Sequence, residues 1–453
     1  MLRAYNSRLR TYEFVHSGDA RQIGANTYTI IVGRNGTGKS RLLRSVVTCL
    51  LHNITDDGWF VREDRAHLKP DSQEYLDVER APTRIICVST SPFDRFPLLR
   101  RDSFLEHYSY LGLRGLPSAN LGIAYMSRIV STLLATIDKS PEQAEAVIRT
   151  LQFLQYDGSM SVIFSAPNEE ILHGLMSPHP DRFLADYLIR PRPMMFFADH
   201  LFGLRQLDTD RHKLEEVTEA LYRMRLRLPR GPTEISIGPG GITGVSGALD
   251  AQKDIVLLAC SGLMRLRHVL LYKDLVPVKL SETSSGEQAV ILGLLGISSQ
   301  ITENALVCID EPEVCLHPAW QERYIDLLFH AFSMRRGCHF LIATHSPQIV
   351  AQIPDGNCYV MSMEDGIAKH AHDYSRRSID FQLAEVFEAP GYRNEYLNRI
   401  ALNVFAKVSK AKRFDDQSRQ EINALRKSLS NLDRLDPLRD LIAALEEMVI
   451  AYG

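Results

Sequence analysis

No stretch of this 453-residue chain stays apolar over the ~18 consecutive residues that a membrane-spanning helix needs. The opening MLRAYNSRLRTYEF lacks the apolar core of a secretory leader, so a cytoplasmic chain is expected. The seven cysteines form no C-x-x-C pair. Most lie in apolar runs such as IICVS and LVCID, which predicts buried, reduced thiols rather than zinc ligands or disulfides. Charge is nearly balanced, at −3 overall. No global field draws such a chain to nucleic acid, and any DNA contact needs a local basic patch. Internal repeats, low-complexity tracts and sustained heptads are lacking too. What is left is an ordinary globular balance, 45% apolar and 24% charged. It can bury a large core in about three domain-sized units.

Against that background the glycines of residues 33–40 stand out. Gly33-Arg34-Asn35-Gly36-Thr37-Gly38-Lys39-Ser40 fits G-x-x-x-x-G-K-[ST], with the strand TIIV before it and an amphipathic helix, RLLRSVVTCLLH, after it. In that context glycines let backbone NH groups wrap a phosphate, the lysine reaches the β/γ oxygens and the serine hydroxyl ligates Mg²⁺. ATP and Mg²⁺ are therefore the expected cofactors, held by Gly33, Asn35, Gly36, Thr37, Gly38, Lys39 and Ser40. Far downstream, five apolar residues, ALVCI, run into Asp310-Glu311-Pro312. An acid at the end of a buried strand suits the Mg²⁺ shell, so Asp310 joins Ser40 as an expected metal ligand. Glu311 follows at the position for a general base or water-orienting group. His345 ends the strand CHFLIAT before Ser346-Pro347 and is a candidate to sense the γ-phosphate. A fourth segment, Ser284-Ser285-Gly286-Glu287-Gln288, opens an apolar helix, AVILGLLGI, and its unpaired first NH groups suit an anion.

Between these motifs, residues 1–32 and 83–90 read as strands. From about 105 to 230, SRIVSTLLATI, PEQAEAVIRTLQFL and RHKLEEVTEALYRMRLRL carry helical spacing. TEISIGPGGITGV alternates about a Gly-Pro-Gly-Gly turn, which predicts a hairpin. A helix is expected over roughly 251–273. Two buried strands, ALVCID and CHFLIATH, come next, and a helical tail covers about 376–453.

The ordered set GRNGTGKS, SSGEQ, LVCIDEPEVCLHP and LIATHSPQIV resembles the motifs of ABC-type ATPases. The DEPE-x-x-LHP and THSP wording is similar to the branch of OLD-family and AAA-15/21-like proteins. The resemblance implies an α/β P-loop head in two parts, 1–105 and 231–375, around a helical insertion at 106–230, with a helical C-terminal region at 376–453. It also implies that two heads sandwich ATP, with Ser285, Gly286 and Gln288 of one copy meeting the γ-phosphate held by the other. Self-association, as a dimer or higher oligomer, is therefore expected. Two departures stand out. The signature reads SSGEQ rather than LSGGQ, and STSPFDRF after strand 83–90 has no Q-loop glutamine, so that either Ser91 or Asp94 takes that place or nothing does. Tyr12 or Phe14 could stack on adenine or pack in a sheet. Size, short insertion and STSPFDRF are similar to PtuA-type ATPase subunits of Septu anti-phage systems, relatives of the retron-associated ones. That likeness implies a separate HNH-type nuclease partner. The alternative is a stand-alone DNA repair or recombination ATPase of the SMC- and RecF-like kind. In the tail, Lys407, Lys410, Lys412, Arg413, Arg419, Arg426 and Lys427 are dense, and Leu425, Leu429, Leu432, Leu435 and Leu438 recur at helical spacing. Either the tail docks a partner with a DNA-facing basic side, or it packs on its own core.

Overall fold

The computed structural model describes residues 1–16, 18, 24–52, 74–98, 107–114, 116, 121–167, 169–174, 176–189, 211–227, 231–245 and 251–452. Parts of the expected insertion, 190–210 and 228–230 among them, lie outside the described residues.

A seven-stranded sheet organises the head. Its order is Ala368–His370, Cys358–Ser362, Thr27–Val32, His339–Ala343, Leu306–Asp310, Ile85–Ser89, Tyr108–Gly112. All neighbours are parallel except the first pair. The central strands are buried along their whole length, as their unbroken apolar sequences require. Alternate side chains serve opposite faces. Ile31, Leu341, Cys308 and Ile85 pack with the helix Lys39–His52. Ile30, Val32, Ile342 and Ile309 pack into the other core, which takes in residues of the helices Leu121–Lys139, Glu142–Phe153, Ser285–Gln300 and Pro318–Ala331. The first of these two faces is closed by a three-stranded antiparallel sheet in the order Thr11–Glu13, Leu2–Asn6, Tyr75–Val78, through Leu2, Tyr5 and Phe14.

A five-stranded antiparallel sheet contributes Met160, Val162, Ile235 and Val269 to the second of these cores, in the order Val276–Lys279, Leu266–Lys273, Met160–Phe164, Thr233–Gly238, Gly241–Val245. The hairpin read from TEISIGPGGITGV is present, with Gly238 opposite Gly241. The expected helix over 251–273 is corrected. Helix covers only Gln252–Cys260, and Leu266–Lys273 is a strand. Gly262, in the left-handed region at φ 72°, turns the chain, and pairing with Met160–Phe164 and Val276–Lys279 then decides the conformation. Within 106–230 the chain also supplies one strand to each of the two larger sheets, Tyr108–Gly112 to the seven-stranded and Met160–Phe164 to the five-stranded one.

The tail forms helices Glu395–Ala411, Asp416–Ser428 and Leu438–Tyr452 around a third core, including Leu397, Val404, Ile422, Leu425 and Leu445. Asn394 and Asp415 cap the first two, accepting from the NH groups of Leu397 and Ser418 at 3.0 and 2.9 Å. The tail leucines do not form one stripe. The helix ends at Ser428, so Leu432 and Leu438 reach the core from separate segments while Leu435 is 83% exposed. Among the described residues no helix is long and apolar enough to cross a membrane. All seven cysteines are free; five are buried, Cys260 is partly so, and Cys315 is exposed, against the expectation for thiols in apolar runs.

Candidate functional site

Register brings the motifs level. Ala343 pairs with Ile31 on one side and Asp310 on the other. The residues that follow, Gly33 onward, Glu311 onward and His345, therefore leave adjacent strands at the same edge. Carboxyl ends of parallel strands are where ligands of such sheets bind. Between Val32 and Lys39 the loop curls back under its own helix. Gly38 has φ 99°, a conformation other residues rarely adopt. A Cβ on Gly33 would lie 2.9 Å from Thr37 Oγ1 and 3.0 Å from Met363 Cβ. Thr37 Oγ1 donates to Arg34 O at 2.8 Å, while Asn35 is exposed on the loop's outer side.

Lys39 is only 4% exposed. Its ammonium donates to Gly33 O at 2.8 Å, to Arg34 O at 3.3 Å and to His345 Nδ1 at 3.1 Å. Burial pulls its pKa down to about 8, against the raising effect of Glu311, Glu313 and Asp310. His345 is held down to about 4, first by burial and then by the Lys39 charge. Its ring is thus neutral, with Nδ1 accepting from Lys39, and the tautomer this assigns leaves the proton on Nε2. Nε2 lies 3.6 Å from Glu311 Oε1. Ser40 Oγ donates to Asp310 Oδ1 at 3.0 Å. Burial pushes the Asp310 carboxyl up to about 7, against the lowering effect of that hydrogen bond.

These groups fit a magnesium nucleotide. A hydroxyl and a carboxylate oxygen in contact are hard donors of the type Mg²⁺ selects. A buried ammonium beside them, bonded to two loop carbonyls, is placed to exchange those partners for phosphate oxygens.

The structure brings Lys39, Ser40, Asp310, Glu311 and His345 together, and the signature segment packs against the far end of the turn that starts at Glu311, at Cys315. Ser284 caps the helix Ser285–Gln300, accepting from the Glu287 NH at 3.3 Å. Gly286 is buried, and a Cβ there would sit 3.0 Å from Cys315 O. Gln288 Nε2 donates to Thr283 O at 2.8 Å, and Ser285 is exposed. Glu287 accepts from the Tyr156 hydroxyl at 2.6 Å, tying this turn to residues of the 106–230 segment.

Of the two Q-loop candidates Asp94 is buried and engaged, while Ser91 keeps its hydroxyl donor. Asp94 accepts from the Phe96 NH at 3.1 Å and the Tyr110 hydroxyl at 2.5 Å, and Ser91 Oγ accepts from the Phe93 NH at 3.2 Å. Phe14 is buried edge-on to His339, and Tyr12 stacks on Tyr5, so both serve packing. Sequence reasoning missed Glu313. Its Oε1 accepts from the His345 NH at 2.5 Å and its Oε2 from Thr344 Oγ1 at 2.8 Å. The available signal was a third acid in DEPE.

Residues 188–351 match the family described as "AAA domain, putative AbiEii toxin, Type IV TA system". The seven-stranded sheet and the G-x-x-x-x-G-K-S loop at its edge make an α/β P-loop head. Over 84 residues it is 33% identical to "Protein ea59" of Escherichia phage lambda, covering 18% of this chain and 16% of that protein. Over 100 residues it is 27% identical to "Retron Ec83 probable ATPase" of Escherichia coli, covering 20% of this chain and 18% of that one. The chain thus spans less than a fifth of the length of these two relatives. A nucleotide-free ATP-binding cassette from an ABC transporter aligns with 81% of this chain and 90% of its own, at 13% identity and a TM-score of 0.24.

Proposed function

We propose that the chain binds ATP with Mg²⁺ at this cluster and that a second copy completes the site. One observation carries the reading: Lys39, Ser40, Asp310, Glu311 and His345 converge within hydrogen-bond or ion-pair reach at the ends of three adjacent strands. Bound Mg²⁺–ATP supplies the charge and the phosphoryl group. Ser40 and Asp310 hold the metal, and Lys39 neutralises the outer phosphates. Glu311 orients or deprotonates a water, and the neutral His345 reads the γ-phosphate. Ser285, Gly286 and Gln288 open a helix whose first NH groups suit an anion, and we assign them to a partner's nucleotide.

Lys39→Ala removes the phosphate-facing charge and should weaken ATP binding at least about tenfold, given the ~1.5–3 kcal/mol worth of a hydrogen bond to a charged group. Titration calorimetry measures this, and undiminished affinity would undo the assignment.

At a finer level we propose the ATP-binding subunit of a cytoplasmic anti-phage complex like the PtuA subunits of Septu, regulating a separate HNH-type nuclease through nucleotide-dependent head association. Support comes from the DEPE-x-x-LHP wording and from the similarity to a retron ATPase. Affinity capture from the native locus, with a native mass of the complex, tests it. A stoichiometric HNH protein is the expected result. A self-associated ATPase with DNA-stimulated turnover that Glu311→Gln abolishes would favour a repair-type ATPase instead.

A further inference from the structure

We infer that Glu313 is a positioning residue, whose carboxylate locks the Thr344–His345 turn so that the His345 ring stands where a γ-phosphate is read. The inference rests on the nucleotide reading above.

The turn Glu311–Cys315 begins and ends in the left-handed region, with φ 50° at Glu311 and 70° at Cys315. This places Glu313 across from the end of the neighbouring strand. Two donors from that strand's extension meet it: Thr344 Oγ1 at 2.8 Å and the His345 NH at 2.5 Å. Backbone pairing between the strands ends just before, with Glu311 N donating to Ala343 O at 2.9 Å. Glu313 is therefore what carries the connection on to residue 345. From the other side, Ser346 Oγ donates to Gln321 Oε1 at 2.7 Å. With residues on both sides of its Cα tied, His345 keeps only its side-chain torsions. Those torsions put Nδ1 3.1 Å from Lys39 and Nε2 3.6 Å from Glu311. The loop thus joins an ammonium and a carboxylate through one imidazole. Without the Glu313 clamp the ring's origin moves, and a displacement of about 1 Å is enough to lose such an alignment.

Burial and the nearby Glu311 charge both raise the Glu313 pKa, while its hydrogen bonds lower it.

The test compares affinities for a non-hydrolysable ATP analogue and for ADP, both with Mg²⁺, so it needs no turnover. Wild type should prefer the analogue. Glu313→Ala should cut that preference by about tenfold, the lower end of what one hydrogen bond to a charged group contributes, with ADP affinity unchanged. His345→Ala should lose as much, and the double variant no more. Glu313→Gln, which can still accept from the NH, should restore most of the preference. Thr344→Val, which removes one of the two bonds, should fall between and covers the case of an unfolded alanine variant. An unchanged preference in Glu313→Ala, an equal loss for both nucleotides, additive losses in the double variant, or no preference in wild type would each overturn the inference. Lys39→Ala separates the levels. If it binds ATP normally, the nucleotide reading itself fails; if it does not, a null result at Glu313 refutes the clamp alone.

Discussion

Glu311 pairs the most demanding backbone in the site with its most exposed chemistry. At φ 50° it sits where a side chain costs roughly 1–3 kcal/mol. Nothing in packing requires an acid there, since its side chain is one-third exposed. Glu311→Gly should therefore stabilise the resting protein by about 0.5–1 kcal/mol while removing ATP turnover. Calorimetric unfolding measures the first and phosphate release the second. A less stable glycine variant would mean that the contact with His345 outweighs the strain. Lys39 yields a second prediction. With its pKa near 8, it is part-deprotonated at pH 8 and charged at pH 6.5. Phosphate favours the charged form and raises that pKa, so nucleotide binding should take up protons at pH 8 and few at pH 6.5. Calorimetry in two buffers of different ionisation enthalpy reads the difference, and Lys39→Ala should abolish it. Residues at strand ends were legible because a buried apolar run announces where a side chain meets the sheet edge. Glu313 was not, because its partners lie 31 and 32 positions downstream and only the fold sets them opposite it.

Elements were legible where one period dominated. Four strands of the parallel sheet, Thr27–Val32, Ile85–Ser89, Leu306–Asp310 and His339–Ala343, are continuous apolar runs and were read as strands, whereas Tyr108–Gly112 fell in the segment read as helical and Cys358–Ser362 was not read. LRHVLLYK satisfies helix and strand patterns alike, and its pairing with Met160–Phe164, a strand about 100 residues earlier, settles it. The tail shows the same limit. Leucines at helical spacing became three short segments because Pro437 and the aspartates around it break the run, Asp436 accepting from the Leu438 NH at 2.9 Å. Its core is separate from those of the head. Leu425→Ala should therefore cost about 2–5 kcal/mol locally. Hydrogen exchange should quicken across 395–452 and stay slow in the central strands. Exchange that rises equally in both would show that tail and head unfold as one. Several tail cations already have partners, Lys407 with Asp415 at 2.6 Å and Lys427 with Glu388 at 2.9 Å, which lessens any basic field there.

For the whole molecule, the proposed sharing of the signature between two copies makes association the informative property. Gly286→Val would press against Cys315 O, where even a Cβ comes to 3.0 Å, and should disturb the helix start without touching Lys39. The expected outcome is normal nucleotide affinity with nucleotide-dependent association lost, read by light scattering with and without Mg²⁺–ATP. Retained association would place the contact elsewhere. The strand order has one more consequence, and it concerns synthesis. The P-loop strand Thr27–Val32 is bonded on both sides by strands from the far end of the sequence, His339–Ala343 and Cys358–Ser362. At about 5–20 residues per second, the roughly 300 residues between them take about 15–60 s to emerge. During that time the most apolar early strand has no neighbour, and no nucleotide can be held. The growing chain therefore depends on sheltering that edge, and the proposed nucleotide site is among the last parts of the protein to exist.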